Sequence, residues 1–355
     1  MGHESTLLEC DEPLCEAYDL AMLDLDGVVY IGREAVPDVA EHLASSAGCG
    51  MALAYVTNNA SRPPAAVADH LRELGIEAAP EDVVTSAQAA ARLVAERVEP
   101  GSVVFVIGGD GLFEALEELG LRGTQSFDDG PVAVVSGYGP ELRWRTVIDG
   151  AILVREGLPW VVSNTDMTVP TPRGAGPGNG VLVKAVADYA RVEPTVAGKP
   201  EPPLFRETQR RVGGERPLVV GDRLDTDIEG ARRAGYDSLL VMTGVTGLAE
   251  LVATEPHQRP DYVAATLAAL QQPQPRPHEE SGRWRCGRWQ TAVDEGVLRV
   301  DAASEAEAGE SDVDDWWRAV AAAAWHHLDS TGSPASVDGL RPPGTSPSAR
   351  PTPTQ

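Results

Sequence analysis

Asp24 and Asp26 stand one residue apart at the end of the apolar run Tyr18–Leu25, and Gly27 follows at once. A run of that length predicts a buried strand. Two carboxylates at its end are costly to desolvate together unless a cation or a reaction uses them. In an open parallel sheet, the carboxyl ends of the strands are the edge where ligands bind. Three further places repeat the pattern of a strand ending in reactive groups. Met51–Val56 runs into Thr57, Asn58 and Asn59. Thr195–Gly198 runs into Lys199. Leu218–Gly221 runs into Asp222, with Asp227 close behind.

Each of these ends is weak evidence alone, since a lysine after a strand is usually solvated and an aspartate usually caps a turn. Their order along one predicted sheet is far more specific. The carboxylates can hold Mg2+, a hard cation that prefers oxygen ligands. Thr57 and Asn58 offer neutral donors to phosphoryl oxygens, and Lys199 offers a compact positive charge. The set supplies a nucleophile, an acid/base, a metal and charge neutralisation for a phosphoryl group in transfer.

The elements that must position these groups alternate strand and helix. Val39–Ala47 is helix-like and stops at Gly48. Ser61 is placed to cap a helix carrying Val67, His70, Leu71 and Leu74, which Gly75 ends. From about Glu81 the alternation continues without reactive strand ends. Val103–Ile107, Val132–Val135 and Trp160–Ser163 read as strands; Leu112–Leu119 and Glu141–Glu156 read as helices. The stretch Pro170–Gly180 reads as a loop and hinge, and its alternating glycines as turn chemistry, not a dinucleotide fingerprint. After it the first grammar returns, through Ser238–Met242 and Tyr262–Val263. The expected fold class is α/β: a doubly wound, Rossmann-like parallel-sheet core, an inserted α/β cap domain and a small C-terminal α+β extension.

The chain has 355 residues, 42% hydrophobic and 23% charged, and a formal net charge of −25. That charge argues against nucleic acid and anionic membrane as partners, since both need a basic footprint. It also requires any phosphate site to carry its own local cations. No apolar run reaches the roughly 18 residues of a spanning helix. The N-terminus lacks the order of a signal peptide, so the cytoplasm is the expected compartment. Cys10, Cys15, Cys49 and Cys286 show no metal-ligand spacing, although Cys10 and Cys15 could pair under oxidising conditions.

DLDGVV at Asp24, VTNN at Thr57, AGKP at Lys199 and GDRLDTD at Asp222 together resemble the four motifs of the haloacid dehalogenase superfamily of phosphohydrolases. The resemblance covers roughly residues 18–270. With the second α/β unit between the second and third motifs, the chain is similar to the α/β-capped subfamily. That subfamily includes 4-nitrophenyl phosphatase-like, nucleotide, phosphoglycolate and glycerol-3-phosphate phosphatases. The resemblance implies that Asp24 is the nucleophile, forming an aspartyl phosphate, and that Asp26 protonates the leaving group and then takes a proton from water. It further implies that Mg2+ is held by Asp24, Asp222 and the backbone carbonyl of Asp26, with Asp227 in support. Thr57, Asn58 and Asn59 would bind the phosphoryl group and Lys199 would bridge nucleophile and phosphate. Asn164, Asp166 and Arg173 are the cap residues expected to meet the substrate, with capping of a turn an equal reading of Asp166. Asp26 suits phosphate esters and argues against halide displacement.

Residues 1–16 are expected to form a leader, 17–80 and 181–270 the core, 81–180 the cap and 271–282 a proline-rich linker. Residues 283–330 would form an extension and 331–355 a disordered tail. The extension holds five of the seven tryptophans: Trp284, Trp289, Trp316, Trp317 and Trp325. It predicts a hairpin turning near Asp294–Gly296 and an amphipathic helix through Val313, Trp316, Trp317, Val320, Ala324 and Leu328. It resembles the degenerate acetyltransferase-like extension of bacterial glycerol-3-phosphate phosphatases, with no second activity expected. Its tryptophans suggest a small satellite core, a dock on the core or a homodimer contact. The expected substrate is a small phosphorylated metabolite, glycerol 3-phosphate first. Other small phosphate esters are the alternative, and a non-catalytic metabolite-binding protein is the alternative of another class.

Overall fold

Leu20–Leu23 forms a strand in which all four residues are buried. Pro217–Gly221 is buried throughout as well. Continuous apolar runs of this kind belong to parallel strands covered on both faces. The computed structural model describes residues 7–171, 173–302 and 310–343. The chain divides into two compact units, one formed by residues up to 53 and from 214 on, the other by residues 54–213.

In the first unit the strands Tyr262–Ala264, Asp237–Val241, Pro217–Gly221 and Leu20–Leu23 lie side by side in that order. Each pairs in parallel with its neighbour, Leu20 opposite Pro217 and Leu23 opposite Val220. The next strand, Ala52–Thr57, begins here: the Ala52 N–H donates to Asp19 O at 2.9 Å. All these strands end at the same edge, so Asp24 and Asp222 follow the last residues of adjacent strands. The sheet is the doubly wound parallel α/β type that the alternating sequence predicts.

The C-terminal segment belongs to this unit. His278–Glu280, Arg283–Cys286, Trp289–Asp294 and Val297–Ala302 form an antiparallel sheet, with the predicted hairpin turning at Glu295 and Gly296. The helix Glu310–Thr331 follows. Trp316, Trp317 and Trp325 are no satellite core. They share one cluster with Leu240, Leu251, Val252 and Val263 of the parallel-sheet layer, and with Leu7. Trp316 and Trp317 pack edge to face at 4.9 Å, and Trp325 Nε1–H donates to Leu251 O at 2.8 Å. The surface that suggested a homodimer contact is therefore used within the chain. The Asp314 carboxylate accepts from the Ala265 N–H at 2.7 Å, just past the outer strand, which occupies a donor that an edge would otherwise expose.

Two segments expected to be loose are pinned. Cys10 and Gln274 exchange backbone hydrogen bonds at 3.0 and 2.7 Å, and Leu7 is buried. This ties residues 7–16 and the proline-rich linker together, because extended chain with free N–H and C=O groups finds partners where it runs over a surface. Ser336 exchanges similar bonds with Leu298 and Gly296, so the described part of the expected disordered tail is anchored. Residues 1–6 and 344–355 lie outside the described residues. Cys15 lies not beside Cys10 but beside Cys49, the two sulfurs 2.7 Å apart with both thiols free.

Arg259, 2% exposed, stacks on Trp325 at 5.3 Å and donates to both oxygens of Asp329 at 2.8 and 2.6 Å. That guanidinium holds the Asp329 carboxyl below its ordinary value of 3.8. A depressed folded-state pKa adds stability that is present above the ordinary value and lost as pH falls through the folded one. Asp329→Asn is therefore expected to unfold at lower urea than wild type at pH about 6, with the gap closing toward pH about 2. Urea midpoints across that range check this; a gap independent of pH contradicts it.

In the second unit Thr195–Val196, Trp160–Val162, Ala133–Ser136, Val103–Ile107 and Arg122–Thr124 form a parallel sheet in that order. The end of Ala52–Thr57 pairs with Val83–Thr85. The helix Ser86–Ala95 starts at Thr85, whose hydroxyl accepts from the Gln88 N–H. Glu207 on the helix Pro203–Val212 joins two helices of this unit: its buried carboxylate meets Arg210 and Arg211 from its own helix and Arg92 from Ser86–Ala95. Burial alone would raise the Glu207 carboxyl, but the Arg210 and Arg211 hydrogen bonds outweigh it and hold it below its ordinary range. Arg211 also reaches Glu118 at 2.9 Å. Residues 170–180 are not a plain loop: Thr168–Thr171 and Gly174–Pro177 pair as a hairpin, and a helix starts at Asn179. Bare glycines at 174 and 176 hide that strand from any hydropathy pattern.

Candidate active site

The Asp24 N–H donates to Val220 O at 2.9 Å, which extends the strand pairing one residue and fixes where the half-buried carboxylate emerges. The chain then turns sharply: Gly27 has φ +88°, and its N–H donates to Tyr30 O at 2.8 Å. Only glycine takes that backbone region cheaply. A Cβ at Gly27 would also collide with the Asp222 carboxylate, so the turn after Asp24 presses against Asp222. Asp26 lies inside this turn, bridged to Tyr30, and its side chain is exposed.

Asp222 is fully buried and Asp227 is 1% exposed. Asp227 sits on the wide helical turn Leu224–Ile228, close enough to the strand end that Gly221 has no room for a side chain. Carboxylate oxygens of Asp24, Asp222 and Asp227 all lie within 4.8 Å of one another. The donor set is three hard anionic oxygens, two from buried residues, cradled by glycines whose Cβ would fill the space. It fits a divalent cation such as Mg2+ and suits no soft metal. The Asp26 carboxylate is not part of this group; its expected metal contact is through a different atom, the backbone carbonyl. Arg223 pairs bidentately with Asp225 at 3.1 and 2.8 Å. Burial would lower the Arg223 guanidinium, but Asp225, then Asp227 and Asp222, push it up.

A second set of predicted residues converges within the other unit. Lys199 is 4% exposed. Its N–H donates to Asn58 Oδ1 at 2.8 Å, and its carbonyl accepts from Asn58 Nδ2 at 3.1 Å. Asn58 Nδ2 also lies 3.3 Å from both Asp166 oxygens. The Asn58 carbonyl takes hydrogen bonds from Asn164 Nδ2 at 2.7 Å and Ser86 Oγ at 2.5 Å. The Asn58 side-chain amide meets Lys199 and Asp166. It braces the loop that carries the lysine. Gly198 allows this: a Cβ there would meet Ser163 O and Asn58 Oδ1. Thr57 is buried, and its hydroxyl oxygen accepts from the Asn59 N–H at 3.1 Å, which leaves the O–H as a donor. Asn59 is exposed; its side chain accepts from Ser61 N and Oγ, so Ser61 does not cap the helix Pro64–Glu73.

Asn164 is buried, and its Oδ1 accepts from the Asp166 N–H at 3.2 Å. Asp166 also gives its carbonyl to the Gly180 N–H at 2.9 Å. Arg173 is exposed at the hairpin turn, where its N–H donates to Thr171 Oγ1, and it is not drawn into this cluster. The sequence reading missed the loop Thr243–Thr246. The Val245 N–H donates to Asp222 Oδ2 at 2.6 Å, and Thr246 Oγ1 donates to the Asp222 carbonyl at 2.6 Å. The signal was present: a polar TGVTG run ends the apolar run Ser238–Met242 as the other motifs end theirs.

The model of a haloacid dehalogenase-like hydrolase matches residues 21–122, and an HAD-hydrolase-like model matches residues 196–270. The chain is 40% identical over 323 residues to D-glycerol 3-phosphate phosphatase of Mycobacterium tuberculosis, covering 88% of this chain and 87% of that protein. It is 34% identical over 255 residues to a 5'-nucleotidase of Bacillus subtilis, covering 71% and 97%. A crystal structure of glycerol phosphate phosphatase from Mycobacterium tuberculosis in complex with magnesium superposes with a TM-score of 0.78 at 39% identity, covering 90% of this chain and 93% of that one. The chain belongs to the haloacid dehalogenase-like hydrolases and, within them, to the phosphatases that cleave phosphate monoesters.

Proposed function

We propose that this chain is a Mg2+-dependent phosphatase that hydrolyses glycerol 3-phosphate through an aspartyl phosphate on Asp24. The convergence of Asp24, Asp222 and Asp227 at one strand edge is the observation that carries this. Asp24 attacks phosphorus in line, and the alkoxide of glycerol leaves. Asp26, exposed in the turn next to Asp24, gives that alkoxide its proton and then takes one from the attacking water. Asp222 and Asp227, with Asp24, would hold Mg2+, which when bound supplies positive charge to the phosphoryl oxygens. Lys199 adds a second cation and Thr57 a hydroxyl donor; Asn58 keeps the Lys199 main chain in place. Asn164 and Asp166 shape the loop on which the leaving group is recognised.

The relative at 40% identity and 87% coverage favours glycerol 3-phosphate. The similarity to a 5'-nucleotidase supports a second reading, the same chemistry on another small monoester. No described helix is long and apolar enough to cross a membrane, and the four cysteines are free thiols; both accord with action in the cytoplasm. A panel of phosphate esters with Mg2+ tests the assignment. The expected result is a kcat/KM for glycerol 3-phosphate at least about tenfold above nucleotide, glycolate, pyridoxal and sugar esters, a gap of about 1.4 kcal/mol in transition-state stabilisation. Another ester preferred by that margin replaces glycerol as the leaving group.

A further inference from the structure

We propose that the loop Thr243–Thr246 is a positioning clamp that sets the affinity of the carboxylate cluster for its divalent cation. It rests on the assignment of Asp222 as a metal ligand. Four hydrogen bonds from this short loop reach the two segments that carry the cluster. The Val245 N–H holds one Asp222 carboxylate oxygen at 2.6 Å. The Thr246 hydroxyl holds the Asp222 main-chain carbonyl at 2.6 Å, and the Thr246 N–H meets the same carbonyl at 3.2 Å. The Thr243 hydroxyl donates to the Gly27 carbonyl at 2.5 Å, inside the turn that follows Asp24. Between them Gly244 has no room for a Cβ, which would overlap the Asp222 carboxylate.

The consequence is geometric. Fixing both the backbone and one oxygen of Asp222 removes its rotamer freedom before any cation arrives, and the other oxygen is left aimed by the first. Fixing the Gly27 carbonyl holds the turn after Asp24 at a set height against Asp222. A cation that needs a near-ideal oxygen array, as Mg2+ does, gains most from ligands oriented in advance. Thr246 is 5% exposed whereas Val245 is 67% exposed: the valine acts through its amide, the threonines through their hydroxyls.

Calorimetric titration of the purified full chain with Mg2+, in the absence of substrate, tests this on Thr246→Val, Thr246→Ser, Thr243→Val and Asp222→Asn. Groups that orient metal ligands typically change metal affinity about 10- to 100-fold when removed. Thr246→Val is expected to weaken Mg2+ binding by about tenfold or more, Thr243→Val by several-fold, and Thr246→Ser to restore near wild-type affinity because it keeps the hydroxyl. At saturating Mg2+ the KM for the ester should stay near wild type, which a merely unstable fold would not predict. Thr246→Val binding within about twofold of wild type, while Asp222→Asn loses binding, overturns the clamp and leaves the metal site standing. Wild-type Mg2+ affinity in Asp222→Asn overturns both. If Thr246→Val does not fold, Thr243→Val decides alone, and unchanged affinity there overturns the proposal.

Discussion

Asp24→Asn is expected to lose phosphate release by at least about 10⁴-fold while keeping its fold, because removing a nucleophile takes away nearly all that the surrounding groups assist. The amide is isosteric with the carboxylate and keeps the backbone bond to Val220, so strand pairing is untouched. It cannot form the acyl phosphate. It also brings one fewer negative charge to the cluster with Asp222 and Asp227, so Mg2+ affinity should fall as well. Phosphate release at saturating Mg2+, with far-UV circular dichroism as the control, measures both parts. Activity within about tenfold of wild type would remove Asp24 from the role of nucleophile.

Ending the chain at Gln271 is expected to abolish cooperative folding. Trp316, Trp317 and Trp325 are 2%, 6% and 2% exposed, and their cluster includes Leu240, Leu251, Val252 and Val263. Losing one buried tryptophan typically costs about 3–5 kcal/mol, against a whole-domain stability of about 5–15 kcal/mol. The truncation removes all three and takes from Arg259 both its ion-pair partner Asp329 and the Trp325 ring it stacks on. The milder variant Trp325→Ala loses the Leu251 hydrogen bond and the Arg259 stacking surface. It should lower the urea midpoint by an amount worth about 3–5 kcal/mol. A truncated chain with wild-type melting and turnover would show the segment to be dispensable.

Much of the site was legible because it is local. Asp24, Asp26 and Gly27 follow an apolar strand directly, and the tight turn they need is written in the glycine. Asp222 and Asp227 are five residues apart on one strand-to-helix turn. The strand Val103–Ile107 was placed without error because five consecutive apolar residues between turn signals admit few other structures. What stayed hidden depends on partners distant in sequence. The face through Trp316, Val320 and Ala324 is plain from helical spacing, but nothing local names Leu251 or Val263 as what it covers. The ties of the Asn58 side chain to Lys199 and Asp166 span more than 100 residues, so no local pattern shows them. Thr243 and Thr246 reach Gly27 and Asp222 only through the fold, across a long separation in sequence. Likewise nothing local pairs Glu207 with Arg92, which lies on another helix.

A crystal soaked with Mg2+ and beryllofluoride, a mimic of the phosphoryl group on a carboxylate, bears most directly on the central claim. The expected map shows the beryllium bonded to an Asp24 carboxylate oxygen and one octahedral cation bound by Asp24 and Asp222, with Asp227 alongside. A cation and fluoride adduct at any other carboxylate, or an Asp24 left bare at saturating concentrations of both, would contradict it.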